Sequence, residues 1–142
     1  MILQWNRKNG LDLKTAFFLC WKLWEWLAKT GNQFKRYWPE WKENGGDVNL
    51  CFNECPCCEY TFSTSTPNRG CHECIMIDLW GEPDEKDKEE NGVPCSFSDS
   101  PFNLWYATKS KPLAIKERKK YAKIIAKEAK KKYKALCLKE RK

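Results

Sequence analysis

Histidine is scarce in this chain, which has one in 142 residues. A single imidazole excludes metal sites built from several histidines and leaves little room for acid–base catalysis by a histidine pair. Long apolar runs are also missing: no stretch of roughly 18 residues is apolar throughout, so we expect no membrane span. The first ten residues carry Arg7 and Lys8 but no apolar segment leading to a cleavage site, so we expect no secretory signal.

Cysteine, by contrast, is abundant, with nine in the chain and seven of them between positions 51 and 95. An odd number does not suit a fully paired disulfide framework, and clustered thiols without an export signal are typical of metal ligands. Cys55-x-x-Cys58 is followed after twelve residues by Cys71-x-x-Cys74, a spacing that lets two tight turns direct four thiolates at one zinc ion. Cys57 and Cys95 are alternatives that would replace one of these ligands or join the ligand shell. The predicted ligands are drawn from Cys55, Cys58, Cys71, Cys74 and Cys95.

We expect this zinc to be structural, with four protein ligands and no open position. Cys71-His72-Glu73 carries half of a zinc deaminase signature, but Pro94-Cys95 lacks the second cysteine that would complete it. An enzyme is therefore the less favoured alternative, because Glu59, Glu73 or Asp78 could act only beside a zinc with an open position.

The apolar pattern predicts a mainly α fold, with a small α+β fold as the alternative. Asp12 is placed to cap a helix that runs to about Thr30 and ends at Gly31. Asp99 or Ser100 should cap a short helix that buries Phe102, Trp105 and Tyr106, and a last helix should cover about residues 112–139. The long N- and C-terminal helices are expected to pack around the zinc-knuckle lobe.

Four parts are expected within one compact domain. A Trp-rich helical part covers 1–49, the Cys-rich zinc-binding lobe covers 50–81, an acidic linker or loop covers 82–94, and C-terminal helices with a Lys-rich tail cover 95–142. The acidic segment is predicted to be solvated and without chemistry of its own.

Charge is divided unevenly along the chain. Residues 109–142 hold thirteen Lys, two Arg and three Glu, whereas acidic residues outnumber basic ones in residues 1–108. Lysines one helical turn apart repel one another, so an anionic partner would offset a cost of roughly 1–2 kcal/mol. Nucleic acid, an acidic partner and a simply solvated helix all remain open. The candidate nucleic-acid contacts are Lys116, Lys119, Lys120, Lys123, Lys127, Lys130, Lys131 and Lys134.

The order of motifs along the chain is distinctive. It consists of Trp24-x-Trp26, Trp38-Pro-x-Trp41, Cys55-x-x-Cys58-Glu59-Tyr60, Cys71-x-x-Cys74, Leu79-Trp80, Ser100-Pro101-x-x-x-Trp105 and a basic final helix. This order resembles small cysteine-motif proteins encoded by tailed bacteriophages, over about residues 15 to 130. The resemblance implies an accessory protein made in the cytoplasm of an infected bacterium and implies no known reaction.

These observations favour a non-enzymatic, zinc-stabilised binding protein of phage type. We expect it to act against host defence, by occupying a host protein or by sequestering a nucleotide signal. Aromatic rings with cationic neighbours suit an anionic, stackable ligand, and the candidates for its contacts are Trp38, Trp41, Tyr60, Arg69 and Lys123. The alternative is a non-specific nucleic-acid-binding module that uses the Lys-rich C-terminal helix. Exposed aromatics leave homo-oligomerisation open as well.

Overall fold

A computed structural model describes residues 12–41, 56–57, 60, 74–89, 94–108 and 114–140. Within these ranges the chain is mainly helical and has no strand, as the sequence predicted. The α-helices are α1 (Leu13–Thr30), α2 (Glu85–Glu89), α3 (Pro101–Ala107) and α4 (Ile115–Glu140). Short 3₁₀ turns lie at Lys35–Tyr37, Ile77–Leu79 and Pro94–Ser96. None of the described helices combines the length and the hydrophobicity needed to cross a membrane.

The predicted boundaries of α1 are confirmed. Asp12 precedes the helix, and its Oδ1 accepts a hydrogen bond of 2.7 Å from the backbone N–H of Thr15. Gly31 ends the helix at φ +70°, a left-handed conformation that glycine adopts without strain. A methyl group on Gly31 would also lie 2.8 Å from Cγ2 of Ile115, so the small residue lets α4 begin close to the end of α1.

Helices α1 and α4 pack against each other along most of their length and run antiparallel. Gly31, at the end of α1, lies against Ile115, whereas Lys14, at its start, pairs with Glu140 at 2.6 Å. The core side of α4 is lined with small residues, which lets the two backbones approach closely. The core residues that the two helices contribute are Ala16, Phe17, Leu19, Cys20, Leu23, Trp24 and Leu27 from α1, and Ala122, Ile125, Ala126 and Ala129 from α4.

Helix α3 covers the side of this pair. Ser100 caps it by accepting a hydrogen bond from Asn103 N–H, with Pro101 in the first turn as expected. Trp105 is fully buried and meets Trp24 edge to face, with ring centroids 4.9 Å apart. Phe102 is half-buried, but the prediction that Tyr106 faces the core is wrong. Its side chain is largely exposed, because about 100° of helix rotation separates it from the buried Trp105.

Two further predictions need correction. Helix α4 begins at Ile115 rather than near residue 112. The acidic segment is not simply a solvated loop, because Glu85–Glu89 forms a helix in which Asp87 is only 7% exposed. The Asp87 carboxylate accepts hydrogen bonds from Asp84 N–H at 2.9 Å and from the N–H and Oγ of Ser98 at 3.1 Å. This acid therefore ties the acidic segment to the turn that precedes α3.

Candidate nucleic-acid interface

Six lysines of α4 share one exposed surface, which we call the lysine face: Lys116, Lys120, Lys123, Lys127, Lys131 and Lys134. Neighbouring members are three or four residues apart, which confines them to an arc of about 80° on a helix of 3.6 residues per turn. The face extends for about 27 Å along the helix axis. Because Ala122, Ile125 and Ala129 occupy the opposite side of α4, packing on α1 holds these lysines toward solvent.

The lysine face is not neutralised by the protein's own acids within the described residues. None of its six ammonium groups lies within ion-pair distance of a carboxylate there. Lys132, which lies on another side of α4, does form ion pairs. Its ammonium group is 3.8 Å from the carboxylate of Asp78 and 3.9 Å from that of Glu128. In the described part of the acidic segment, no carboxylate forms an ion pair with the lysine face.

The remaining two predicted lysines lie beside this face, where α4 meets α1. Lys119 is half-buried against the end of α1, and its Cε would lie 3.2 Å from a methyl group placed on Gly31. The ammonium of Lys130 lies 5.3 Å from the ring centroid of Trp21. The structure thus divides the eight predicted lysines into six on the exposed face and two at its edge.

Arg118 is a positive charge that serves a different purpose from the lysines. Its guanidinium is buried, at 2% exposure, and donates to the carbonyl of Gly31 at 2.7 Å and to the carbonyl of Thr108 at 3.2 Å. These carbonyls lie at the C-terminal ends of α1 and α3, where helix dipoles favour a cation. Arg118 therefore joins three helices and fixes the position of the lysine face relative to the core.

Sequence reasoning missed this role for Arg118, although a signal was present. Arg118, Ala122 and Ile125 are spaced by four and three residues, so the arginine lies on the apolar side of its helix. A long cation at such a position is typical of a side chain that caps carbonyls inside the protein.

The aromatic residues predicted to bind a ligand lie in the core. Trp38 and Trp41 are 3% and 6% exposed, and their rings meet edge to face with centroids 5.2 Å apart. The indole N–H of Trp41 donates to the carbonyl of Lys35 at 2.8 Å. In this arrangement they act as packing residues and present no open clamp. Tyr60 is half-buried against the same core, and Lys123 belongs to the lysine face, whereas Arg69 lies outside the described residues.

Of the predicted zinc ligands, Cys74 and Cys95 are described, and Cys55, Cys58 and Cys71 lie outside the described residues. Cys74, Cys95 and the buried Cys57 all belong to the main core or pack against it. The sulfur of Cys74 accepts a hydrogen bond of 3.4 Å from Met76 N–H. No group of three potential metal ligands occurs among the described residues alone, and the zinc site stays a prediction.

Comparisons with known proteins identified no relative of this chain. No family model matches the chain, and searches of curated proteins and of solved structures gave no match. The resemblance to phage cysteine-motif proteins stays a prediction.

Proposed function

We propose that this chain is a non-enzymatic binding protein whose lysine face takes nucleic acid. The observation that carries the proposal is the alignment of six exposed lysines over about 27 Å, without carboxylate partners among the described residues. A nucleic acid backbone is a linear array of negative charges and matches a straight array of cations better than a small anion does.

The choice of lysine over arginine supports binding without sequence preference. Lysine supplies a point charge, whereas arginine supplies the forked donors that recognise guanine edges. Arg118, the arginine within α4, is buried and hydrogen-bonded to backbone carbonyls, so it is not available to read bases. The partner is therefore recognised through its phosphates, and binding should weaken steeply with salt.

The energetics of α4 give independent support. Adjacent members of the lysine face form five like-charge pairs at three- or four-residue spacing, each costing a few tenths of a kcal/mol. Together these pairs destabilise α4 by about 1–2 kcal/mol when no anion is bound. A bound polyanion would convert this repulsion into attraction, whereas a purely structural helix would gain nothing from the arrangement.

The test is the binding of a fluorescent oligonucleotide to the whole protein, followed by anisotropy at low salt. Replacing Lys123 and Lys127 by Gln removes two central charges but keeps helix-forming residues. Lys139→Gln removes a charge from the same helix at a position about 120° from the centre of the lysine face. We expect the double variant to lose about tenfold or more in affinity and Lys139→Gln to bind nearly as the wild type.

Equal binding by all three proteins, or no binding by the wild type, would contradict the proposal. Zinc-dependent folding and a role in phage counter-defence remain compatible with it, since a protein that covers nucleic acid can act during infection. Those two points stay predictions of the sequence and do not depend on the lysine face.

A further inference from the structure

A cluster of aromatic rings lies along the edge of the lysine face, in the groove between α1 and α4. We call it the aromatic seam, and it consists of Phe18, Trp21 and Tyr133. Ring centroids within it are 5.4 to 5.8 Å apart. All three side chains are half-buried, so the seam packs against the core and also reaches the surface.

Lysine side chains cover the outer side of this seam. The ammonium of Lys22 lies 4.2 Å from the ring centroid of Trp21, and that of Lys130 lies 5.3 Å from the same ring. Lys14 lies 5.9 Å from the centroid of Tyr133. Trp21 is half-buried, and a flat group that displaced these ammonium groups would contact its ring.

Two acids near the seam influence which part of a nucleic acid can approach. The indole N–H of Trp21 donates to Glu25 at 2.9 Å, and Glu25 also pairs with Lys22 at 3.9 Å and with Lys29 at 3.3 Å. Glu140 pairs with Lys14. Carboxylates repel phosphate, whereas an uncharged base carries no such penalty. The lysine face therefore attracts the backbone, and the adjoining seam is better suited to a base.

From this juxtaposition we infer that the nucleic acid is single-stranded and that one of its bases stacks on Trp21. The inference rests on the proposed function. In a duplex the bases stack on one another and present only edges, whereas an unpaired base has a free face. A strand whose phosphates follow the lysine face can turn a base into the seam, because Lys130 links the two surfaces. The ammonium groups of Lys22 and Lys130, displaced from the indole, then pair with phosphates.

The first test needs no variant. The wild-type protein is titrated with a thymidine oligonucleotide of about ten nucleotides, with an abasic oligomer of the same length, and with a duplex. The inference predicts that the thymidine strand binds roughly tenfold more tightly than the abasic strand, a gain typical of one stacked base. Equal affinity for the thymidine and abasic strands would overturn it.

The second test locates the stacked base. Trp21→Leu removes the flat ring but keeps an apolar side chain, and Trp26→Leu makes the same change at another half-buried tryptophan of α1. Trp21→Leu should lower affinity for the thymidine strand about tenfold and leave binding of the abasic strand within about twofold. Trp26→Leu should leave both unchanged.

The outcomes separate the two claims. If no nucleic acid binds, or if binding is indifferent to Lys123 and Lys127, the proposed function fails. If binding depends on these lysines but the thymidine strand, the abasic strand and the duplex bind alike, only the stacking inference fails. An equal loss for thymidine and abasic strands in Trp21→Leu would mean that Trp21 supports the fold rather than a base.

Discussion

Removing lysines from the lysine face should make the protein more stable, which is the opposite of the usual effect of substitution. Lys123 has lysines at positions 119, 120 and 127, and Lys127 has them at 123, 130 and 131. Replacing both by Gln relieves these five distinct like-charge pairs, at about 0.2–0.5 kcal/mol each. Neither lysine has an acid three or four residues away along α4, so no helical ion pair is lost.

The expected gain is therefore about 1–2.5 kcal/mol at low salt. For a chain of this size that corresponds to a rise in Tm of roughly 3–10 °C, measured by circular dichroism or by calorimetry. The difference should shrink toward zero at about 1 M salt, where the screening length falls to about 3 Å.

Lys139→Gln is the matched control. The residues one turn before it are Ala135 and Leu136, so no repulsion is relieved there. It also removes a cation from the last turn, where a positive charge interacts favourably with the helix end, and its Tm should not rise. An unchanged or lower Tm for the Lys123 and Lys127 double variant at low salt would refute the argument that the lysine face is strained by its own charge.

Three other predictions concern the framework of the fold. Arg118→Met should cost about 1–3 kcal/mol in urea unfolding, because the buried carbonyls of Gly31 and Thr108 lose their hydrogen-bond donor; an unchanged stability would contradict this role. The hydrogen bond from the Asp84 N–H, assisted by those from Ser98 and opposed by burial, lowers the pKa of Asp87. The stability that the Asp87 carboxylate contributes is therefore fully present above the ordinary aspartate pKa and is lost as pH falls through the lowered value. Asp87→Asn should accordingly lower Tm at neutral pH, with a gap that closes in acid; a gap independent of pH would contradict it. Cys74→Ser should reduce the zinc bound per chain in native mass spectrometry, while Cys137→Ser, which changes a cysteine of α4, should not; full zinc content in Cys74→Ser would remove that residue from the site.

The sequence was most informative where a local rule decides the structure. Asp12 and Gly31 delimit α1 because a side-chain acceptor and a left-handed residue satisfy the groups that a helix leaves unpaired at its ends. Ser100 before Pro101 predicted α3 for the same reason. These features depend on neighbours along the chain, and so they can be read without knowledge of the fold.

Features that depend on contacts between distant segments were less accessible. Arg118 and Asp87 lie among many residues of the same charge, and only their partners, Gly31 and Ser98, show that each is buried and hydrogen-bonded. From the sequence, Trp38 and Trp41 are candidates for contacts to a stackable ligand, yet the core covers them. Only the packing of α1 on α4 shows that Trp21 meets Lys130 from the other helix at the edge of the lysine face.

The central claim is that the lysine face binds the phosphates of a nucleic acid, and the salt dependence of affinity tests it most directly. The logarithm of the binding constant is measured against the logarithm of salt concentration for the wild type and for the Lys123 and Lys127 double variant. If the six lysines contact phosphates of a single strand, the wild-type slope should be about −4, and losing two contacts should make it shallower by about 1.4. A wild-type slope near zero, or the same slope in both proteins, would contradict the account.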